Sequence, residues 1–394
     1  MTATAAELAL MQGAPPPPER RVTLANWQEG PFNRWAFQHV SELVPSAVLS
    51  RGDGPVLELP VAAEDIDPLL GDFLGQTYTD GFLVLRDGHI VYERYFNGMG
   101  PNTLHLLQSV SKSFCSALTG TLVERGVVQL EAQVRDYVPE LSDSALGDAT
   151  VGNLLDMTAS VVFNEEYADP ESEVQAQDRA AGWRPRRPHD PESSYSFLRS
   201  LRKAGEHGRV FQYCSASTDA LAWVLERATG RRYCELLETE LWARLGAEHD
   251  ASITVDAAGF GFANGGLSVT LRDLARFGWL MLNGGGVNGF RVTPERWALR
   301  PLEHGDPSLM SDGDFKAAYP NGCYSSKWWC AGDERRTFYG VGIYGQYVWI
   351  VPAARLVFAK LSSLPRALDP EMTRDHHLAF QALADRLAEG TAPA

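Results

Sequence analysis

The sequence predicts an α/β (α+β) protein, a strand-bearing core interrupted by an inserted helical region. Three observations carry that expectation. Strand-like alternation lies toward both ends of the chain, at 81–97 and 336–363. Helical spacing fills most of the middle, and strands flanking helices imply such an insertion. Apolar residues make up 44% and aromatics 10%, enough for a sizeable packed core. At ~100–200 residues per domain, the 394 residues correspond to two or three domains or one elaborated domain.

Taken in order, residues 1–20 are rich in alanine and proline and predict a flexible lead-in. GFLVLRDGHIVYERYFN (81–97) alternates around Asp87-Gly88 and predicts a hairpin with a two-residue turn. SVSKSFCSALTGTLVER (109–125) has helical spacing and ends before Gly126, a suitable residue to follow a helix. Helical patterns continue at VGNLLDM (151–157), STDALAWVLERATG (217–230), CELLETELWARLG (234–246) and TLRDLARFGWLMLNGGG (270–286). The longest irregular stretch is 163–191, a length usually functional or mobile. RTFYGVGIYGQYVWIVPAARLVFAKLSS (336–363) is strand-like with a turn around 352–355, and 372–390 closes as an amphipathic helix. The expected division is an α/β domain from 21–125 and 270–394, with a mainly helical domain, 126–269, carrying the 163–191 loop. No internal repeat is evident.

Charge and cysteine usage narrow the function. Lys plus Arg is 35 and Asp plus Glu is 50, a net charge of −15. Such a surface repels phosphate backbones and anionic lipid, which argues against nucleic-acid and membrane-surface roles. Five cysteines without CxxC spacing fit neither a disulfide framework nor a zinc ribbon. The first residues lack a basic stretch before their apolar run, and no apolar run approaches ~18 residues. The expectation is a soluble cytoplasmic protein.

Several standard catalytic signals are missing. No serine has glycine at both −2 and +2, so there is no α/β-hydrolase nucleophile elbow. There is no HExxH and no P-loop, and His376-His377 reads as a partly exposed pair rather than a metal site. Gly340-Val341-Gly342-Ile343-Tyr344-Gly345 matches GxGxxG, but strand-like QYVWIV comes next where a dinucleotide fold needs a helix.

S-x-x-K occurs twice, at Ser109-Val110-Ser111-Lys112 and Ser200-Leu201-Arg202-Lys203. On a helix, three-residue spacing sets the lysine amine over the serine hydroxyl. A neutral amine there accepts the serine proton and makes the oxygen nucleophilic. Context separates the copies. Ser109 opens a run of small and apolar residues, where burial lowers a lysine pKa from its reference of ~10.4. Lys203 lies among Arg199, Arg202 and Glu206, a solvated setting.

Ser109-x-x-Lys112, followed by GVVQLEAQVRDYVPEL (126–141), VGNLLDMTAS (151–160) and Tyr213-Cys214-Ser215, resembles the class C β-lactamase and penicillin-binding esterase family of serine hydrolases. Gly340-Val341-Gly342 stands where that family has its Lys-Thr-Gly strand. FNEEYADPESEVQ (163–175), FQYCSAS (211–217), GFGFANGG (259–266) and GIYGQ (342–346) resemble the branch that hydrolyses linear amides of 6-aminohexanoate. The resemblance implies a serine β-lactamase/penicillin-binding-protein-like fold, an antiparallel sheet flanked by helices. It implies an acyl-enzyme mechanism on short linear amides, with carboxylesterase side activity and no cofactor or metal. The implied partners are a small-molecule amide or ester substrate and a second copy in a homodimer.

Carried over by position, Ser109 is the implied nucleophile, Lys112 its proton acceptor and Tyr213 the relay to the leaving group. Tyr167 is implied to contact the scissile amide nitrogen. The backbone N–H groups of Ser109 and Ile343 form the implied oxyanion hole. Asp178, Asn264, Trp329, Tyr344 and Gly342 are the implied substrate-binding residues. The residues alone leave other readings open. Tyr167 can simply pin its loop, Asp178 can be a solvated ion pair beside Arg179, and Asn264 can serve a turn. Trp328-Trp329 fits a pocket wall or a core equally. A short-chain esterase, a β-lactamase or peptidase, and an inactive binding protein all remain compatible with the motifs. Gly340 disfavours the lactam reading, because it removes the lysine that attracts a lactam carboxylate.

Overall fold

The structure is a computed structural model and describes residues 2–389. Asp87 and Gly88 take φ of 49° and 79°, the left-handed pair that a tight hairpin turn requires. They join β1 (Thr79–Arg86) to β2 (His89–Tyr95). Five later strands complete a sheet: β3 (Cys323–Ser325), β4 (Trp328–Cys330), β5 (Phe338–Gly342), β6 (Gln346–Val351) and β7 (Leu356–Ser362). Their order is β2-β1-β7-β6-β5-β4-β3, antiparallel throughout. The N-terminal hairpin therefore pairs with the C-terminal strands, and the helical middle is enclosed between them.

Alternation along these strands feeds two cores. Leu83, Leu85, Val348, Ile350 and Val357 point into the main core, whereas Phe82, Val84, Tyr347, Trp349 and Phe358 point to the other face. Helix α1 (Ser111–Glu124) is buried along nearly its whole length in the main core, and its Phe114 stacks on Phe277 at 3.6 Å between ring centroids. Four more helices surround the sheet and the site: α2 (Glu173–Ala180), α3 (Ser215–Thr229), α4 (Leu271–Leu282), which carries Phe277, and α5 (Pro370–Glu389). Phe380 and Leu383 of α5 cover the second face of the sheet. His376, expected on a partly exposed pair, is instead buried there and stacks on Tyr347.

Two features depart from the simple pattern. The 163–191 stretch is not wholly irregular. Ser172 accepts the Gln175 N–H as an N-cap, and α2 begins there with Val174, Gln177 and Asp178 buried. A second, four-stranded sheet joins 46–49, 251–254, 267–269 and 105–106, which ties the helical middle to the N-terminal flanking segment. Residues 2–20 lie against the body: Leu10 is buried, and the Ala5 N–H donates to Asn97. Among the described residues, no helix is long and apolar enough to cross a membrane.

Candidate active site

Ser109 lies on a tight 3-10 turn (Gln108–Val110) that runs directly into α1. Gln108 holds φ at 50°, a left-handed conformation rare for a residue with a Cβ. Such strain persists only where the surroundings enforce it. Here β5 presses on the turn. A Cβ at Gly342 would come 2.5 Å from the Leu107 carbonyl oxygen and 2.9 Å from Gln108 Cβ. Only glycine lets the strand come this close. At Gly340 a Cβ would meet Ser113 Oγ at 3.0 Å and Val348 Cγ1 at 3.1 Å, so any side chain there is crowded.

The helical spacing delivers the lysine as expected. Lys112 Nζ donates to Ser109 Oγ at 2.7 Å and to the Asn264 carbonyl at 2.8 Å. It is 1% exposed, and burial lowers its pKa to about 8, with Glu165 the leading opposing charge. Tyr213 flanks the pair. Lys112 Nζ lies 5.2 Å from the Tyr213 ring centroid, and the Tyr213 hydroxyl is in hydrogen-bond contact with that of Ser109. Burial pushes the Tyr213 pKa well up, so its phenol stays neutral. Lysine, not tyrosine, is the group able to take a proton near neutral pH.

Ser109 opens onto a cavity of about 290 Å³ whose walls include Glu165, Tyr167, Tyr213, Trp329, Gly342 and Ile343. Trp329 stacks on Tyr213 with centroids 5.9 Å apart, whereas its neighbour Trp328 is fully buried in the main core. Ile343 comes directly after the last paired residue of β5, Gly342, which is opposite Gln346. Ile343 and Ser109 line the same cavity. Tyr167 donates its hydroxyl to Glu165 Oε1 at 2.7 Å, and Glu165 also accepts the Ser215 N–H at 3.0 Å.

The remaining expected residues are not on this wall. Asp178 is buried and takes Arg184 Nε at 3.0 Å and Gln28 Nε2 at 3.4 Å. Its carboxylate is already partnered, so it does not present a free charge to the cavity. Tyr344 packs edge-on against Phe37 in a separate cluster, 5% exposed. Asn264 reaches the site through its backbone carbonyl, while its side chain turns away to Asp219. The second S-x-x-K copy is superficial, with Lys203 paired to Asp148 and Ser200 bonded back to the Phe197 carbonyl.

Two charged residues escaped the sequence reading. Glu165 was visible in the Asn164-Glu165-Glu166-Tyr167 run, but nothing separated it from Glu166. Asp219 carried a signal, as an acidic residue inside the apolar spacing of STDALAWVLERATG, and it is 0% exposed.

The fold and this site define a class. The chain belongs to the β-lactamase family, whose model, described as Beta-lactamase, matches residues 70–383. It is 48% identical to the 6-aminohexanoate-dimer hydrolase of Paenarthrobacter ureafaciens over 368 residues, covering 92% of this chain and 93% of that protein. Among solved structures it is similar to a "Putative 6-aminohexanoate-dimer hydrolase from Bacillus anthracis", with TM-score 0.87, 28% identity, and 95% and 99% of the two chains covered. A family VIII carboxylesterase shares the fold at TM-score 0.60, with 17% identity and with 80% of this chain and 96% of that one covered.

Proposed function

We propose that this chain is a serine hydrolase that cleaves short linear amides of 6-aminohexanoate through an acyl-enzyme, with carboxylesterase activity on the side. The observation that carries the chemistry is the 2.7 Å contact of a buried, pKa-lowered Lys112 with Ser109 Oγ. Lys112 takes the serine proton as Ser109 attacks the carbonyl carbon. The developing oxyanion lies between the N–H groups of Ser109 and Ile343. The C–N bond then breaks as the proton held by Lys112 passes through the neutral Tyr213 hydroxyl to the departing nitrogen, and a water that gives its proton back to the freed Lys112 amine releases the acid from Ser109.

Tyr167 suits an amide in particular. Its hydroxyl hydrogen is committed to Glu165, which leaves the oxygen free to accept the scissile N–H. An ester has no such hydrogen. The identity to an amide hydrolase supports the substrate class, and the cavity of about 290 Å³ beside Ser109 has room for a small linear substrate. All five cysteines are free and buried, which supports the reading of a cytoplasmic enzyme. A homodimer is tested by light scattering on the purified chain.

The experiment is a paired assay on 6-aminohexanoate dimer and a p-nitrophenyl ester, with Ser109→Ala as control. Both activities are expected in the wild type and neither in the variant. Ester turnover without amide turnover would reduce the proposal to an esterase, and turnover by Ser109→Ala would end it.

A further inference from the structure

The carbonyl that holds Lys112 is itself held by a buried anion. Asp219 on α3 accepts the Asn264 N–H at Oδ1 (3.0 Å), the Asn264 side-chain amide at Oδ2 (2.7 Å) and Gln177 Nε2 at Oδ2 (2.6 Å). Both donors of Asn264 thus grip one carboxylate, and its carbonyl is left facing Lys112 Nζ at 2.8 Å. No water-accessible surface remains on Asp219. A carboxylate buried this deeply is costly unless its contacts do something for the fold or the site.

We propose that Asp219 is a positioning residue for the catalytic base, acting through the backbone carbonyl of Asn264 to fix the amine of Lys112 on Ser109. The direction of the lone pair decides whether a neutral lysine can accept the serine proton. With one N–H pinned on the Asn264 carbonyl, rotation of the amine about its stem is restricted, and the lone pair can be turned to Ser109. This assigns position 264 to the base and not to direct reading of substrate. It rests on Lys112 being the base.

Other charges face the same groups. Around Lys112 these are Glu165 and Asp178 from the 163–191 segment, Cys214 and Tyr213 before α3, and Lys327 from the β3–β4 turn. Cys115 and Tyr233 lie near Asp219, and both remain protonated because burial raises their pKa values. Glu165, Asp219 and Asp178 all favour the Lys112 ammonium, in that order, and of these carboxylates Asp219 is the one joined to it through the Asn264 carbonyl by a hydrogen-bonded chain. Its own proton affinity is raised by burial, to about 7, so the ionised form prevails where the lysine begins to work.

The test is Asp219→Asn, assayed on a p-nitrophenyl ester from pH 6 to 10, with active sites counted by a fluorophosphonate label. The expected result is kcat per labelled site reduced tenfold or more, KM changed less than threefold, and the acid limb of kcat/KM moved down by about half a pH unit. A purely structural role would lower the labelled fraction and the melting temperature but leave the limb in place. That outcome overturns the proposal. If Asp219→Asn does not fold, Gln177→Met removes one donor from the carboxylate and should move the limb the same way by less. An unmoved limb there is equally fatal. Lys112→Arg is measured alongside. Activity in that variant would defeat the base assignment itself, whereas an inactive Lys112→Arg with an unmoved limb defeats only the role of Asp219.

Discussion

At Lys112, burial and charge act in opposite directions, and burial wins. The amine is 1% exposed, and loss of hydration outweighs Glu165 and Asp219 nearby, leaving its pKa about 8. The working form is the neutral one, so activity should climb as pH rises through that value. At pH 7 about a tenth of the molecules carry the free base, and at pH 9 about nine tenths, a rise of roughly tenfold in kcat/KM. A pH–rate profile on an uncharged ester checks this, and a flat profile from 6 to 9 would exclude Lys112 as the base. Tyr167 gives a second residue-scale expectation. Tyr167→Phe removes a hydroxyl tied to Glu165 but keeps the ring. Amide turnover should fall ~10–10²-fold while ester turnover changes little, because only the amide has an N–H that would be left unpaired, at a cost of ~1–3 kcal/mol. Equal losses on both substrates would mean that Tyr167 merely braces its loop. Ser109 and Lys112 were legible because their three-residue spacing encodes their geometry, and Tyr213 only because the Tyr-Cys-Ser run resembles a family element. Asp178, Asn264 and Tyr344 were not, since which way a side chain turns depends on partners far along the chain: Arg184 and Gln28 for the first, Asp219 for the second, Phe37 for the third.

At the level of elements, the site depends on how closely β5 approaches the turn before α1. Replacing Gly342 by alanine would push a methyl group to 2.5 Å from the Leu107 carbonyl oxygen, a backbone atom that cannot rotate away. The strand end must then shift, and the Ile343 N–H moves with it. Loss of one oxyanion donor typically costs ~10²–10³ in kcat. Gly342→Ala should therefore slow ester and amide hydrolysis alike, in contrast to Tyr167→Phe, with little change in KM. A substrate-selective loss would show that the strand reads the leaving group instead. The hairpin of β1 and β2 and the turn at 352–355 that joins β6 to β7 were plain in the alternation, because period-two patterns need only local residues. α2 was less visible. Its eight residues are dominated by polar side chains, EVQAQDRA, and it is held by burial of Val174, Gln177 and Asp178 against the body, which no local pattern reports. The second small sheet was invisible for a similar reason, its strands being two to four residues long and far apart in sequence.

Across the whole molecule, three of the five lysines are buried: Lys112, Lys327 and Lys360. Burial lowers Lys112 to about 8 and Lys327 to about 7, and holds Lys360 well below the usual lysine value. In the unfolded chain all three titrate near ~10.4. From pH 7 upward the unfolded state therefore holds protons that the folded state has released, and stability must rise with pH. The rise has an upper limit. Cys115, Cys214 and Cys234 keep their protons in the fold, with pKa values raised by burial to about 12, 12 and 11. Unfolded thiols ionise near ~8.5, so above that pH the unfolded state loses protons that the fold retains, and this opposes the lysine effect. Chemical denaturation should accordingly give a higher stability at pH 8.5 than at pH 7, by ~1–3 kcal/mol, flattening above. Lys360 makes the cleanest test, because it is paired opposite Tyr347 across β6 and β7 and donates to the Thr77 carbonyl and to Ser362, whereas Lys112 is bonded to the nucleophile itself. Lys360→Met keeps the length of the side chain and removes the titrating amine. The variant should retain a smaller share of the gain between pH 7 and 8.5. An unchanged gain would mean that the folded protein keeps Lys360 protonated through that range.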